Sequence, residues 1–152
     1  MIEAGQLAPP FSLPDQDGET VSLSDFASRN LMLVFYPLDF SPTCTDQLSI
    51  YQEVLGEIEG AGASLVGVSV DSAFCHRAFC DKLGLTMTLL ADFHPKGEMS
   101  SAYRVFREEC GTNTRALVLV GADGKVCWTH AASQPGEFPG ANLIFDALEA
   151  AA

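Results

Sequence analysis

Short unbroken apolar runs alternate along this chain with segments whose apolar residues recur at helical spacing, and that rhythm most constrains the fold. Leu31 to Tyr36 is the longest run, and Pro37 stops it. A run with no polar alternation suits a strand covered on both faces. From Thr43 to about Gly60, Leu48, Tyr51, Val54, Leu55 and Ile58 predict a helix that exits through Gly60-Ala61-Gly62. Leu65 to Val70 reads as a second buried strand, and Ser72 or Ala73 to Leu83 as a second helix closed by Gly84. Leu89 to Ala91 predicts a short strand and Gly97 to Tyr103 a short helix. Ala116–Val120 and Val126–Ala131 flank Ala122-Asp123-Gly124-Lys125 as a hairpin, and Pro139-Gly140 leads into a last helix, Ala141 to Ala150. Near the start, Phe11–Pro14 and Thr20–Leu23 read as a hairpin around Asp17-Gly18. The pattern as a whole predicts an α/β fold: a central mixed sheet with helices on both faces and an N-terminal hairpin.

No repeat, low-complexity tract or linker divides the 152 residues, so residues 1–152 are expected to form one domain. The net charge is −12, from 8 basic and 20 acidic residues, with no basic cluster. Nucleic acid and anionic membrane surfaces are therefore not expected partners. No apolar run approaches the length of a membrane span, and Met1-Ile2-Glu3-Ala4-Gly5 shows no basic-then-apolar leader, so a cytoplasmic location is expected. The five cysteines are then expected to be reduced at rest, without a structural disulfide framework.

One segment carries chemistry. Between the buried strand and the first long helix runs Tyr36-Pro37-Leu38-Asp39-Phe40-Ser41-Pro42-Thr43-Cys44-Thr45-Asp46-Gln47. Ser41 is placed to be the N-cap and Pro42 the first helical residue, where a missing N–H costs nothing. Cys44 then falls in the first turn, among unpaired amides at the positive end of the helix dipole. That setting favours thiolate over thiol. Rapid attack by such a sulfur needs more: groups that stabilise the charge developing on the bond it breaks.

Pro37-x-x-x-Ser41-x-x-Cys44 matches the active-site motif of peroxiredoxins, and the surrounding phrase resembles the peroxiredoxin Q (bacterioferritin comigratory protein) subgroup. The likeness extends to Ala8–Gly18, to Val66–Ser72, to Leu89–Asp92 and to Thr114–Val120, in that order. The resemblance implies a thioredoxin-like fold and a thiol peroxidase without metal or organic cofactor. Its substrates are hydrogen peroxide and organic hydroperoxides. Carried over by position, Cys44 is the nucleophile that becomes a sulfenic acid. Ser41 offers its hydroxyl to the peroxide, in competition with capping, and Pro37 shapes the pocket floor. Arg115 supplies the positive charge beside the sulfur, and Gln47 orients that arginine.

The resemblance also implies a way to resolve the sulfenic acid. Some subgroup members carry a resolving cysteine five residues after the nucleophile, but Ser49 stands there. Others carry it in the next helix, in a phrase matched by Phe79-Cys80-Asp81-Lys82, which points to Cys80. Cys75, Phe79 and Leu83 share one apolar stripe, so Cys75 reads as core. Cys80, about 140° around the helix from Cys75, reads as a flank residue with an available thiol, beside a surface His76. Cys110 is a weaker second candidate, and Cys127 reads as strand packing. Cys75, His76 and Cys80 lack a further ligand pair, so no zinc site is expected. An intramolecular disulfide would be recycled by thioredoxin or a similar dithiol. Without one, a low-molecular-weight thiol would regenerate a one-cysteine enzyme, or the chain would relay oxidation to a partner as a peroxide sensor. Cys44 is followed by Thr-Asp-Gln rather than a C-x-x-C pair, which argues against a thioredoxin-type oxidoreductase. Monomer and homodimer both stay open.

Overall fold

A computed structural model describes residues 1–134 and 136–152. Strands β1 (Ser12–Pro14) and β2 (Thr20–Ser22) pair antiparallel as the expected hairpin, followed by a 3-10 turn over Leu23–Phe26. The central sheet is built from β3 (Asn30–Phe35), β4 (Ala63–Ser69), β5 (Thr88–Ala91), β8 (Ala116–Val120) and β9 (Val126–Ala131), in the order β5-β4-β3-β8-β9. β3, β4 and β5 run parallel, while β8 is antiparallel to both β3 and β9. A small hairpin of β6 (Phe106–Arg107) and β7 (Thr112–Asn113) was not anticipated from hydropathy, because two-residue strands carry no period.

Among the described residues five helices complete the fold: α1 (Pro42–Glu53), α2 (Leu55–Gly60), α3 (Ala73–Leu83), α4 (Glu98–Ala102) and α5 (Ala141–Ala151). The single helix expected over residues 43–60 is thus two. Val54, at φ −109° and ψ 11°, breaks it, yet Leu55 and Ile58 keep the apolar stripe on the sheet.

β3 explains why its run has no polar alternation. Met32, Val34 and Tyr36 enter one core cluster with Leu48, Tyr51 and Ile58, whereas Leu31, Leu33 and Phe35 enter another with Phe11, Met99 and Tyr103. Both faces are covered, as a central strand of this sheet requires. Gly67 in β4 is set by close approach: a Cβ there would lie 2.7 Å from Leu89 Cδ2 and 3.2 Å from Tyr36 Cε1. Its missing side chain lets the Tyr36 ring lie over β4.

The sheet also positions the chemistry. Phe35 pairs with Ala116, so Arg115 enters β8 opposite the point where the chain leaves β3 for the Pro37 loop. Sites in open α/β sheets form at such carboxyl ends of parallel strands.

Candidate active site

The loop after β3 delivers the chain to α1 with Ser41 at the N-cap (φ −66°, ψ 146°) and Pro42 at the first helical position, as expected. The Ser41 hydroxyl makes no capping bond, so the competition between capping and substrate binding does not arise. The first intrahelical bond runs from Thr45 N to Ser41 O at 2.9 Å, leaving the amides of Thr43 and Cys44 ahead of it. Phe40, just before the helix, adopts φ 68°. For a residue other than glycine that conformation costs on the order of 1–2 kcal/mol, and such outliers collect where a loop is held in place by its surroundings.

Cys44 is fully buried, and its sulfur accepts a hydrogen bond from Arg115 Nη1 at 3.3 Å. The same nitrogen donates to Gln47 Oε1 at 2.6 Å. Gln47 sits one helical step beyond Cys44 and is itself fully buried. Its Nε2 donates to the Tyr51 hydroxyl at 3.2 Å, and Tyr51 donates to the Pro139 carbonyl at 2.6 Å. Arg115 Nη1 has two N–H groups for its two acceptors, and the Gln47 amide is fixed with its oxygen toward the guanidinium and its nitrogen toward Tyr51. Burial pushes the Tyr51 hydroxyl up to about 12, so it stays a donor. Tyr51 is a residue that sequence reasoning placed only in the core stripe. The signal available was the polar Gln47–Tyr51 pair four residues apart on an inward face.

Pro37 and Arg115 border one cavity of about 270 Å³, whose wall includes Thr114 and Ser133. Cys44, Gln47 and Arg115 therefore come together directly, with Pro37 and Ser41 flanking them on the loop.

Helix α3 departs from expectation. Its buried face is His76, Phe79 and Cys80, while Cys75 is half-buried. The stripe was read about one residue off because an apolar count puts histidine outside. Here His76 is fully buried, with Nδ1 2.6 Å from Asp39 Oδ2 and Nε2 2.9 Å from the Leu90 carbonyl. Buried polar groups are admitted where partners wait for them. Cys80, expected on an accessible flank, is only 1% exposed and shares a core cluster with Cys44. Burial, with a contribution from Asp39, pushes its thiol up to about 11 despite Arg77. Cys75 faces Asp71, its Sγ 3.7 Å from Oδ1, and burial with that carboxylate pushes it up to about 12. Cys127 is exposed rather than packed in the core, with its thiol donating to the Leu119 carbonyl of β8 at 3.4 Å. Cys110 is exposed, and a hydrogen bond with Thr112 lowers its thiol.

Among the described residues one group could bring three ligand atoms together, Asp39, Asp71 and Cys75. Both Asp39 oxygens are already taken, by Tyr36 and by His76, so the group reads as a hydrogen-bond junction.

A sulfur enclosed at the start of a helix has a guanidinium aimed at it, an arrangement that packing alone does not require. On a sheet of this order it defines a thioredoxin-fold thiol enzyme. The chain belongs to the AhpC/TSA family, the peroxiredoxins, whose family profile matches residues 4–129. It is 34% identical to alkyl hydroperoxide reductase E of Mycobacterium tuberculosis over 151 residues, covering 99% of this chain and 98% of that one. It is 43% identical to chloroplastic peroxiredoxin Q of Triticum aestivum over 91 residues, covering 60% of this chain and 42% of that one. Among solved structures, peroxidoxin BcpB of Mycobacterium tuberculosis superposes with a TM-score of 0.89 at 25% identity, covering 99% of this chain and 98% of that one. AhpC of Enterococcus faecalis gives 0.91 at 26% identity, covering 99% and 92%. The expected fold and family are borne out, and the chain is a thiol peroxidase. No helix among the described residues is long and apolar enough to cross a membrane.

Proposed function

We propose that Cys44 is the peroxidatic sulfur and that Cys80 resolves it. The observation that carries the first half is the bond from Arg115 Nη1 to Cys44 Sγ, with Gln47 holding that same nitrogen. The guanidinium stands beside the sulfur, where charge develops on the peroxide oxygens. Sγ attacks one oxygen, the O–O bond breaks, and the other oxygen leaves as water or alcohol after taking the thiol's proton. Ser41 offers its hydroxyl to the peroxide, Pro37 limits water at the pocket floor, and Gln47 keeps Arg115 aimed.

Cys44 sulfenic acid then condenses with the Cys80 thiol, forming the disulfide and releasing water. Support comes from their membership of one core cluster and from the Phe40–Phe79 ring contact, which joins the Cys44 loop to the helix that bears Cys80. Both thiols are enclosed, so the first turn of α1 must open for the bond to form, and helix ends open at low cost. Thioredoxin or a similar dithiol would reduce the product by exchange. The burial of Cys80 favours one second reading, in which it stays enclosed and a low-molecular-weight thiol reduces Cys44 directly. Residues 1–152 act as one domain in either case, as a monomer or homodimer, in the cytoplasm.

Peptide-pair mass spectrometry after one equivalent of hydrogen peroxide tests the assignment. A Cys44–Cys80 link is expected, with the Cys44→Ser variant inert to peroxide. Cys44 sulfenic acid that persists beside a free Cys80 would overturn the resolver.

A further inference from the structure

The site accounts for Cys44, Gln47, Tyr51 and Arg115, but it leaves unused a second buried polar chain on the other side of the same loop. Tyr36 donates to Asp39 Oδ1 at 2.6 Å. Asp39 Oδ2 lies 2.6 Å from His76 Nδ1, and His76 Nε2 lies 2.9 Å from the Leu90 carbonyl on β5. The Asp39 amide donates to Asp71 Oδ2 at 2.8 Å, and the Ser69 hydroxyl donates to that same oxygen at 2.6 Å. Tyr36, Asp39 and His76 are all buried.

The hydrogen positions follow from the acceptors. A carbonyl only accepts, so His76 Nε2 carries a proton and donates to Leu90. One further proton lies between Nδ1 and Oδ2. A carboxylate with a charged donor, or a carboxylic acid donating to the imidazole, both satisfy the contact, and without that proton two acceptors would face each other. The chain is therefore complete at every atom, which gives a buried polar network its stiffness.

Its location is what matters. Asp39 is in the loop that must move if the first turn of α1 is to open, and His76 is on α3 one turn before Cys80. Phe40, next to Asp39, lays its ring against Phe79, next to Cys80, at a centroid separation of 5.0 Å. The reactive loop is thus pinned to the helix that bears the second thiol.

We propose that Tyr36, Asp39 and His76 form a latch that holds the Cys44 loop closed, and that its strength sets how often the oxidised enzyme is resolved before a second peroxide reaches it. These are positioning residues: their side-chain hydrogen bonds run to one another and to the Leu90 carbonyl rather than to the sulfur. With the loop closed, Cys44 sulfenic acid stays beside Arg115, where another peroxide converts it to sulfinic acid. With the loop open, it meets Cys80 and loses water. The consequence for disulfide formation rests on the Cys80 reading; the control of loop opening does not.

Three variants separate the terms. Asp39→Asn keeps the connection, because its amide can donate to an unprotonated Nδ1 while its oxygen still accepts from Tyr36, although the charge assistance is gone. Tyr36→Phe removes one bond and no volume, so it preserves the packing. His76→Phe cuts the latch at its centre. Amide hydrogen exchange over residues 38–46 in the reduced protein is expected to quicken in the order wild type, Asp39→Asn, Tyr36→Phe, His76→Phe, reaching about tenfold or more at the last. Under excess hydrogen peroxide, the fraction of Cys44 in the sulfinic state, read by mass spectrometry, is expected to fall in the same order. Partial rescue by Asp39→Asn distinguishes a latch from packing alone, since the asparagine keeps the bond geometry.

Should Tyr36→Phe and Asp39→Asn both exchange like wild type over these residues, the latch is wrong even if His76→Phe fails to fold. Cys80→Ser serves as the control for the underlying reading. If it accumulates sulfinic acid no faster than wild type, the Cys80 resolver is wrong, while the exchange order still decides the latch. If Cys80→Ser accumulates it faster but the latch variants leave the sulfinic fraction unchanged, the latch does not govern resolution.

Discussion

At Cys44 the sulfur is held by one nitrogen of Arg115, and that nitrogen is divided between the sulfur and Gln47. Hydrogen bonds to charged groups contribute on the order of 1.5–3 kcal/mol, so Gln47→Ala is expected to lower kcat/KM for peroxide by about 10–100-fold. Arg115→Lys keeps the charge but replaces a planar fork with a point charge, and a loss of about tenfold or more is expected; stopped-flow consumption of hydrogen peroxide reads both. The other thiols differ by their surroundings. In a Cys44→Ser background at pH 7, iodoacetamide is expected to label Cys110 well ahead of Cys75 and Cys80. Cys110 is exposed and lowered by Thr112, whereas burial pushes Cys80 to about 11 and Cys75 to about 12. Only thiolate reacts, and a thiol at about 11 has on the order of 300-fold less of it at pH 7 than an ordinary one near 8.5. The same sign would govern the proposed resolution by Cys80: raising pH increases its thiolate and is expected to speed disulfide formation. If opening precedes attack, the thiol is hydrated when it reacts. The rate should then level off near the ordinary value of about 8.5 rather than climb to 11; a pH series of single-turnover resolution checks this. Cys44 and Ser41 could be singled out from the sequence because a helix start with a cap, a proline at residue 42 and a thiol is local, whereas Pro37 was singled out by the motif's resemblance to the family. Tyr51 and His76 could not, since their meaning lies in Pro139 and Asp39, far along the chain or on another element.

Among the elements, β3 and β4 do the positioning. Gly67 of β4 gives the Tyr36 ring its place, and Leu89 closes the other side of that gap. Gly67→Ala would press a methyl into both, and overpacking of this kind costs about 1–3 kcal/mol. Urea midpoints at constant m-value are expected to fall accordingly, and exchange over residues 38–46 to quicken as Tyr36 is displaced. Element identity was legible wherever a period ran for several residues, as in β3, β4, α1 and α5. It was not legible at Val54, where the helix breaks but the apolar spacing continues through α2. The face of α3 was misread because hydropathy assigns histidine to water unless a partner is known.

For the whole molecule, the two core clusters share one central sheet, whose strand β3 contributes side chains to both. If residues 1–152 are one domain, unfolding followed by Trp128 fluorescence and by far-ultraviolet circular dichroism should give one coincident transition in urea. Two separated midpoints would divide the chain. By itself the amino-acid sequence determined the alternation of strands and helices, the family, and a thiol at the mouth of a helix, because each depends on neighbours within a few residues. Tertiary structure alone decided that one nitrogen of Arg115 serves both the sulfur 71 residues away and Gln47, that Cys80 is enclosed rather than accessible, and that His76 belongs inside against Asp39. The physical reason is that strand register and burial are properties of the assembled sheet. A side chain's partners, and therefore its charge, reactivity and exposure, exist only once that sheet has formed.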